Sequence, residues 1–254
     1  MSAIDRRVRF ADLCVRAEGG NAGLPEQAIG TLGEKRLHRV CKYFFDENSD
    51  HHECRVAGHI ADIAEGDTVT EIQTGSLYPL KQKLHTYLKE TPLSVTVVCP
   101  LIAERRIVRV EPETGEVLRC RRSGVHPSYA DLLPELYWLS ELLPHDRLRI
   151  HVLCVRADEY RYSERKQRYE KGPRYKAELF PRELLGETVL STVSDFARIA
   201  DIGKSEFLSS EFAAYHRLRG RRLQRALLFL CRIGVLERSH IDKKRYMYRV
   251  CDSM

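Results

Sequence analysis

No apolar run in this 254-residue chain approaches the ~20 residues that a membrane helix needs, so nothing in it reads as a bilayer-spanning helix. The opening M-S-A-I-D-R-R-V-R-F puts Asp5, Arg6 and Arg7 where a secretory leader has its apolar stretch, and a cytoplasmic protein is expected. Eight cysteines are present without a single C-x-x-C pair. Most sit in apolar segments such as V-T-V-V-C-P-L and I-H-V-L-C-V-R, which makes them small buried hydrophobes rather than a disulfide framework. H-H-E-C, from His51 to Cys54, has ligand character, but a zinc site needs a second ligand pair that the sequence does not offer. Internal repeats and low-complexity tracts are also missing.

What the chain does have is length enough for two cores and an uneven charge. Its 42 basic and 36 acidic residues leave +6 overall, yet Ser209 to Met254 alone carries eleven Arg or Lys against four Asp or Glu. A local +7 at one end points to a polyanion, with DNA as the expected partner and a solvated basic surface as the plainer alternative. We expect an N-terminal arm over residues 1–30, rich in Gly19, Gly20, Gly23 and Gly30, then an α/β domain over 31–190 and a small domain over 191–254.

Periodicity supplies the elements. Leu37, Val40, Cys41 and Phe44 recur at helical spacing in a first helix over about 32–45. Residues 58–75, G-H-I-A-D-I-A-E-G-D-T-V-T-E-I-Q-T-G, read as a β-hairpin. A second helix carries Leu80, Leu84, Tyr87 and Leu88 on its apolar side, and P-L-S-V-T-V-V-C-P-L is a strand buried on both faces. A second hairpin turns at Glu113 to Gly115, and an apolar helix is expected over 129–143, followed by the strand R-I-H-V-L-C-V-R. The basic stretch 156–182, interleaved with Tyr160, Tyr162, Tyr169 and Tyr175, reads as an exposed hairpin, with a nucleic-acid arm as the other reading.

The first hairpin poses the chemical question, because it carries Asp62, Glu71 and Gln73. A two-residue type II′ turn at Gly66-Asp67 pairs Glu65 with Thr68, Ala64 with Val69, Ile63 with Thr70 and so Asp62 with Glu71. Directly opposed like charges destabilise a strand pair unless a positive group lies between them. A hard divalent cation such as Mg²⁺ suits such a pair. A three-residue turn at Glu65 to Asp67 would instead slip the register and send the two carboxylates to opposite faces. Glu34, three residues before Leu37, lies on the inward stripe of the first helix, although Thr31 and Glu34 also match a capping box. His38 follows one turn later, either toward the same pocket or as a core histidine.

This order of elements and acids, over about Gly33 to Leu118, resembles the PD-(D/E)XK nuclease superfamily. The resemblance implies a mixed sheet of restriction-endonuclease-like type flanked by helices. It further implies Mg²⁺ (or Mn²⁺) held by Asp62, Glu71 and the Ile72 carbonyl, Glu34 as a supporting acid, and metal-dependent hydrolysis of DNA. Where that superfamily places a Lys, this chain has Gln73, whose amide can orient water but carries no charge. In some members the Lys comes from the following helix, where Lys81 and Lys83 stand. A non-enzymatic DNA-binding or regulatory protein on a degenerate nuclease-like core is the competing expectation.

Residues 207–250 have the parts of a winged helix: an N-cap at Ser209 or Ser210, a turn near Arg217 to Gly220, a longer helix and a hairpin. On the longer helix, Arg221, Arg225 and Arg232 fall within about 40° of one another, opposite Leu223, Leu227 and Leu230. With Arg222 and the wing residues Lys243, Lys244 and Arg245, they are the expected nucleic-acid contacts.

Overall fold

The computed structural model describes residues 2–18, 36–111, 113–163, 175–242 and 245–251. It is a mixed α/β fold with a large mixed sheet flanked by helices. Among the described residues no helix is long and apolar enough to cross a membrane. The chain divides into two compact units that interleave along the sequence rather than following one another: residues 1–50, 100–127 and 153–187 form one, and 51–99, 128–152 and 188–254 the other.

The N-terminal stretch expected as an arm contains a regular helix, α1 (Ala3–Arg16). Its start is fixed by a reciprocal cap, with Asp5 N donating to Ser2 Oγ at 3.1 Å and Ser2 N to Asp5 Oδ2 at 3.0 Å. Phe10, Leu13 and Cys14 are buried, and the Phe10 ring meets Phe44 of α2 (Arg36–Phe45) edge-on at 5.3 Å. The four residues expected on the apolar stripe of α2, Leu37, Val40, Cys41 and Phe44, are all buried. Glu34 lies outside the described residues, and His38 falls on α2 in the first unit.

Three antiparallel strands open the second unit: β1 (His52–Val56), β2 (His59–Glu65) and β3 (Thr68–Ile72). β1 is the H-H-E-C stretch continued. It turns into β2 through Ala57 and Gly58, both at positive φ, as a type I′ turn requires. α3 (Leu80–Glu90) follows, with Leu80, Leu84, Tyr87 and Leu88 buried as expected, and leads to β4 (Ser94–Val110), which runs parallel to β3. The expected short strand and the first arm of the second hairpin are thus one 17-residue strand, and β5 (Val117–Arg122) pairs antiparallel with its far part.

The helix expected over 129–143 is broken into a 3₁₀ turn (Tyr129–Leu132), a single helical turn α4 (Leu133–Leu136) and another 3₁₀ turn (Tyr137–Leu139). Pro134 has no N–H to give a longer helix and stands where a helix tolerates it, at the start. β6 (Leu148–Ser163) and β7 (Tyr175–Leu190) complete the sheet, whose strand order is β1-β2-β3-β4-β6-β7 with β5 on β4. In the first unit several arginines of β4, β6 and β7 are neutralised by acids of β6. Arg106 and Arg182 share the buried Asp158 at 2.5 and 2.7 Å, and Arg105 and Arg161 share Glu159.

The C-terminal part begins with α5 (Val193–Ala200), capped by Thr192 and Asp195. β8 (Glu206–Leu208), α6 (Ser209–His216), α7 (Gly220–Arg232), β9 (Leu236–Asp242) and β10 (Arg245–Val250) follow, and the strands form a small sheet ordered β8-β10-β9. The N-cap is Leu208, not a serine: Ser209 is already helical, and Glu211 Oε2 accepts the Leu208 N–H at 2.7 Å. Arg217 takes the left-handed conformation that ends α6. Phe196 packs on Phe229 at 5.4 Å and Phe207 on Phe212 at 5.5 Å, the aromatic core of this part. None of the eight cysteines is joined in a disulfide; Cys14, Cys41 and Cys99 are buried, whereas Cys120 on β5 is exposed.

Candidate functional site

The β2–β3 register decides whether two acids meet. It runs Glu65↔Thr68, Ala64↔Val69 and Ile63↔Thr70, which is the pairing of a two-residue turn. Gly66 supplies the positive φ of the first turn position, and Asp67 does not take one, as a type II′ turn demands. The next position along this register brings Asp62 to the start of the Glu71-Ile72-Gln73 segment, and Asp62 Oδ2 accepts the Ile72 N–H at 2.7 Å.

Glu71 is the unusual member. Its partner across the parallel ladder is Val97, and it is only 1 % exposed. Burial pushes its carboxyl up to about 7; Lys83 pulls the other way, and the Asp62 charge adds to the rise. Two groups from α3 hold it: Lys83 Nζ donates to Oε2 at 2.5 Å, and the Tyr87 hydroxyl to Oε1 at 3.2 Å. Lys83 and Tyr87 are four residues apart on a helix, hence stacked on one face. Burial and Glu71 together raise the Tyr87 hydroxyl pKa, so it remains a donor. The cluster is therefore two carboxylates, one ammonium and one phenol.

The other expected residues are distributed as follows. Lys81 points to Glu141 at 2.8 Å and takes no part in the cluster. Gln73 donates its side-chain amide to Ser76 O at 2.6 Å and its backbone N–H to Val98 O at 2.9 Å. Ser76 is held in turn by Glu135, whose Oε2 accepts both the Ser76 hydroxyl at 2.8 Å and the Leu77 N–H at 3.2 Å. At the other end of α3, Arg147 donates Nη1 to Thr91 O at 2.7 Å and Leu93 O at 3.0 Å, and Nη2 to Leu88 O. Tyr87, Glu135 and Arg147 escaped the sequence reading. The first stood in view, since a Tyr one turn beyond Lys83 shares its face, whereas nothing local marks the other two.

The arginines of α7 expected to face a ligand divide into two groups. Arg221 is exposed and has no ion-pair partner among the described residues. Arg222 is bound to Asp131, Arg225 lies over the Trp138 ring at 4.5 Å, and Arg232 donates to Ser140 Oγ at 3.0 Å and lies over Tyr137 at 4.7 Å. Much of this basic face is thus occupied by the 129–140 segment of the same unit. Lys243, Lys244 and the Arg245 side chain lie outside the described residues.

A family described as a domain of unknown function, DUF8091, matches residues 35–191, more than half of the chain. The chain belongs to the DUF8091 family. An uncharacterized protein of Treponema pallidum (strain Nichols) is 30% identical over 146 residues, which cover 56% of this chain and 57% of that protein. The chain thus spans a little over half the length of this relative. No solved structure matches. The DUF8091 segment runs from α2 through β7, so Asp62, Glu71, Gln73 and Lys83 fall inside it while α6, α7 and the small sheet lie beyond its end.

Proposed function

We propose that the second unit is a PD-(D/E)XK-type site for magnesium-dependent hydrolysis of DNA, with Lys83 from α3 in the role that Gln73 leaves unfilled. One observation carries this reading: a helix-borne Lys joined to a buried Glu, itself coupled to an Asp on the neighbouring strand. The strand order β1-β2-β3-β4, antiparallel through β3 and then parallel after α3, supports a restriction-endonuclease-like core. Helices α6 and α7 followed by the β9–β10 hairpin support a winged helix that binds DNA, with exposed Arg221 as its phosphate contact.

The donor set fits a hard cation. Asp62, Glu71 and the Ile72 carbonyl are oxygen donors of the kind that a hard cation takes. A bound Mg²⁺ supplies an activated water and neutralises charge on the phosphate. Lys83 is placed to stabilise the negative charge that builds on the phosphoryl oxygens as water attacks and the opposite P–O bond breaks. Tyr87 fixes the Glu71 carboxylate from the buried side.

The second reading, a non-catalytic DNA-binding scaffold, is favoured by the same salt bridge. Lys83 already pairs with Glu71, and the Gln73 amide is spent on Ser76. Magnesium and manganese titrations by calorimetry and thermal unfolding, run beside cleavage of labelled DNA, separate the two. The enzyme reading expects metal to raise Tm in the native protein and not in Asp62→Asn, and Lys83→Met to keep the metal but lose cleavage. Absence of metal binding, with Asp62→Asn changing only stability, decides for the scaffold.

A further inference from the structure

The loop that leads from β3 to α3 carries an aromatic group that the reading above does not use. Tyr78 sits in the loop between β3 and α3 and is 59 % exposed, although its neighbour Leu77 is buried. The loop is pinned on both sides of it: Tyr78 N donates to Ser76 Oγ at 3.3 Å, and Lys81 N to Tyr78 O at 3.2 Å. Ser76 is the residue that receives Gln73, and Lys83 follows in α3, so along the chain Tyr78 lies between Gln73 and Lys83.

The Tyr78 ring does not stand alone. It meets Trp138 at 4.8 Å, Trp138 meets Tyr137 at 5.5 Å, and Arg225 and Arg232 lie over Trp138 and Tyr137. The acids of this surface are already paired: Glu135 with the Ser76 loop, Glu141 with Lys81 and Asp131 with Arg222. Arg225 and Arg232 have no ion-pair partner among the described residues, so positive charge remains where the aromatic rings are. A rigidly held, exposed ring backed by stacked guanidiniums suits a flat π-system on a polyanionic backbone, which is an unpaired nucleobase.

We propose that Tyr78, supported by Trp138, is a stacking platform for an unpaired base of single-stranded DNA, carried on the loop that joins the strand of Glu71 to the helix of Lys83. The proposal rests on the function proposed above for its choice of nucleic acid as ligand, and it adds the strandedness. A paired base is stacked on both faces and has no face to offer Tyr78, which makes duplex DNA the poorer ligand.

The test uses the full chain in EDTA, so that binding is read without cleavage. Fluorescence anisotropy of labelled oligothymidylate and of a duplex of equal length gives the two affinities. Trp138, the single tryptophan of the chain, reports stacking through quenching of its emission. The expected result is tighter binding of the single strand, quenching on binding, and a loss of about tenfold in single-strand affinity for Tyr78→Ala but not for Tyr78→Phe. Unchanged affinity in Tyr78→Ala, or equal affinity for duplex, overturns the proposal; preference for oligouridylate overturns its assignment to DNA. If cleavage fails in magnesium while Tyr78-dependent binding persists, the platform stands and the nuclease reading falls. Cleavage that persists with Tyr78→Ala binding unchanged has the reverse meaning.

Discussion

Glu71→Gln isolates what the buried carboxylate does to stability. In the unfolded chain a Glu carboxyl titrates near its ordinary 4.5, and in the folded protein Glu71 is pushed up to about 7. The folded state therefore binds the Glu71 proton more tightly than the unfolded state does. Its contribution to stability is fully present below pH 4.5, is lost as the pH rises, and is gone above pH 7. Each factor of ten in proton affinity is worth 1.36 kcal/mol, so the loss amounts to about 3 kcal/mol. Gln keeps the shape and the hydrogen-bonding oxygen but does not titrate. Urea unfolding without added metal, from pH 4 to pH 8, should show Glu71→Gln gaining on the native protein by about 3 kcal/mol across this window. For a chain of this size that is on the order of 6–12 °C in Tm. A difference that stays constant with pH, or that opens in the opposite direction, refutes the buried and under-compensated Glu71.

Arg147→Ala removes the guanidinium that gathers the carbonyls of Leu88, Thr91 and Leu93, and should cost about 2–3 kcal/mol in urea unfolding. Arg147→Lys should recover only part of it, since one ammonium cannot reproduce the fork. On α7, Arg221→Ala should weaken DNA binding and lower the slope of log affinity against log salt by about 1, whereas Arg222→Ala, which frees Asp131, should cost at most about 1 kcal/mol of stability.

What sequence made legible was local. The Gly66-Asp67 turn fixed the β2–β3 register because a two-residue loop leaves one pairing, and the next step along it brings Asp62 to the Ile72 amide beside Glu71. The α3 stripe and the buried first part of β4 followed from periodicity. Misreadings arose where a local signal competed with another. Glycines 19 to 30 coloured the whole N-terminus and hid α1, and ligand-type residues in H-H-E-C hid β1. An apolar run over 129–143 suggested one helix where Pro134 allows only short turns. The helical angle groups the α7 arginines on one face, yet Asp131, Trp138 and Ser140, which engage three of them, lie some 90 residues earlier in the chain. No window of sequence contains both partners.

Glu135 and Arg147 grip α3 at its two ends, one at the loop before its first turn and the other at its last carbonyls. Both come from a stretch made some fifty residues after the helix itself. A growing polypeptide that has reached only the end of β4 holds every acid of the cluster and Lys83, but not the two side chains that set the helix in place. During synthesis the helix gains these two anchors only after residue 147 has emerged, and a fragment ending before residue 128 would carry the full motif without either of them.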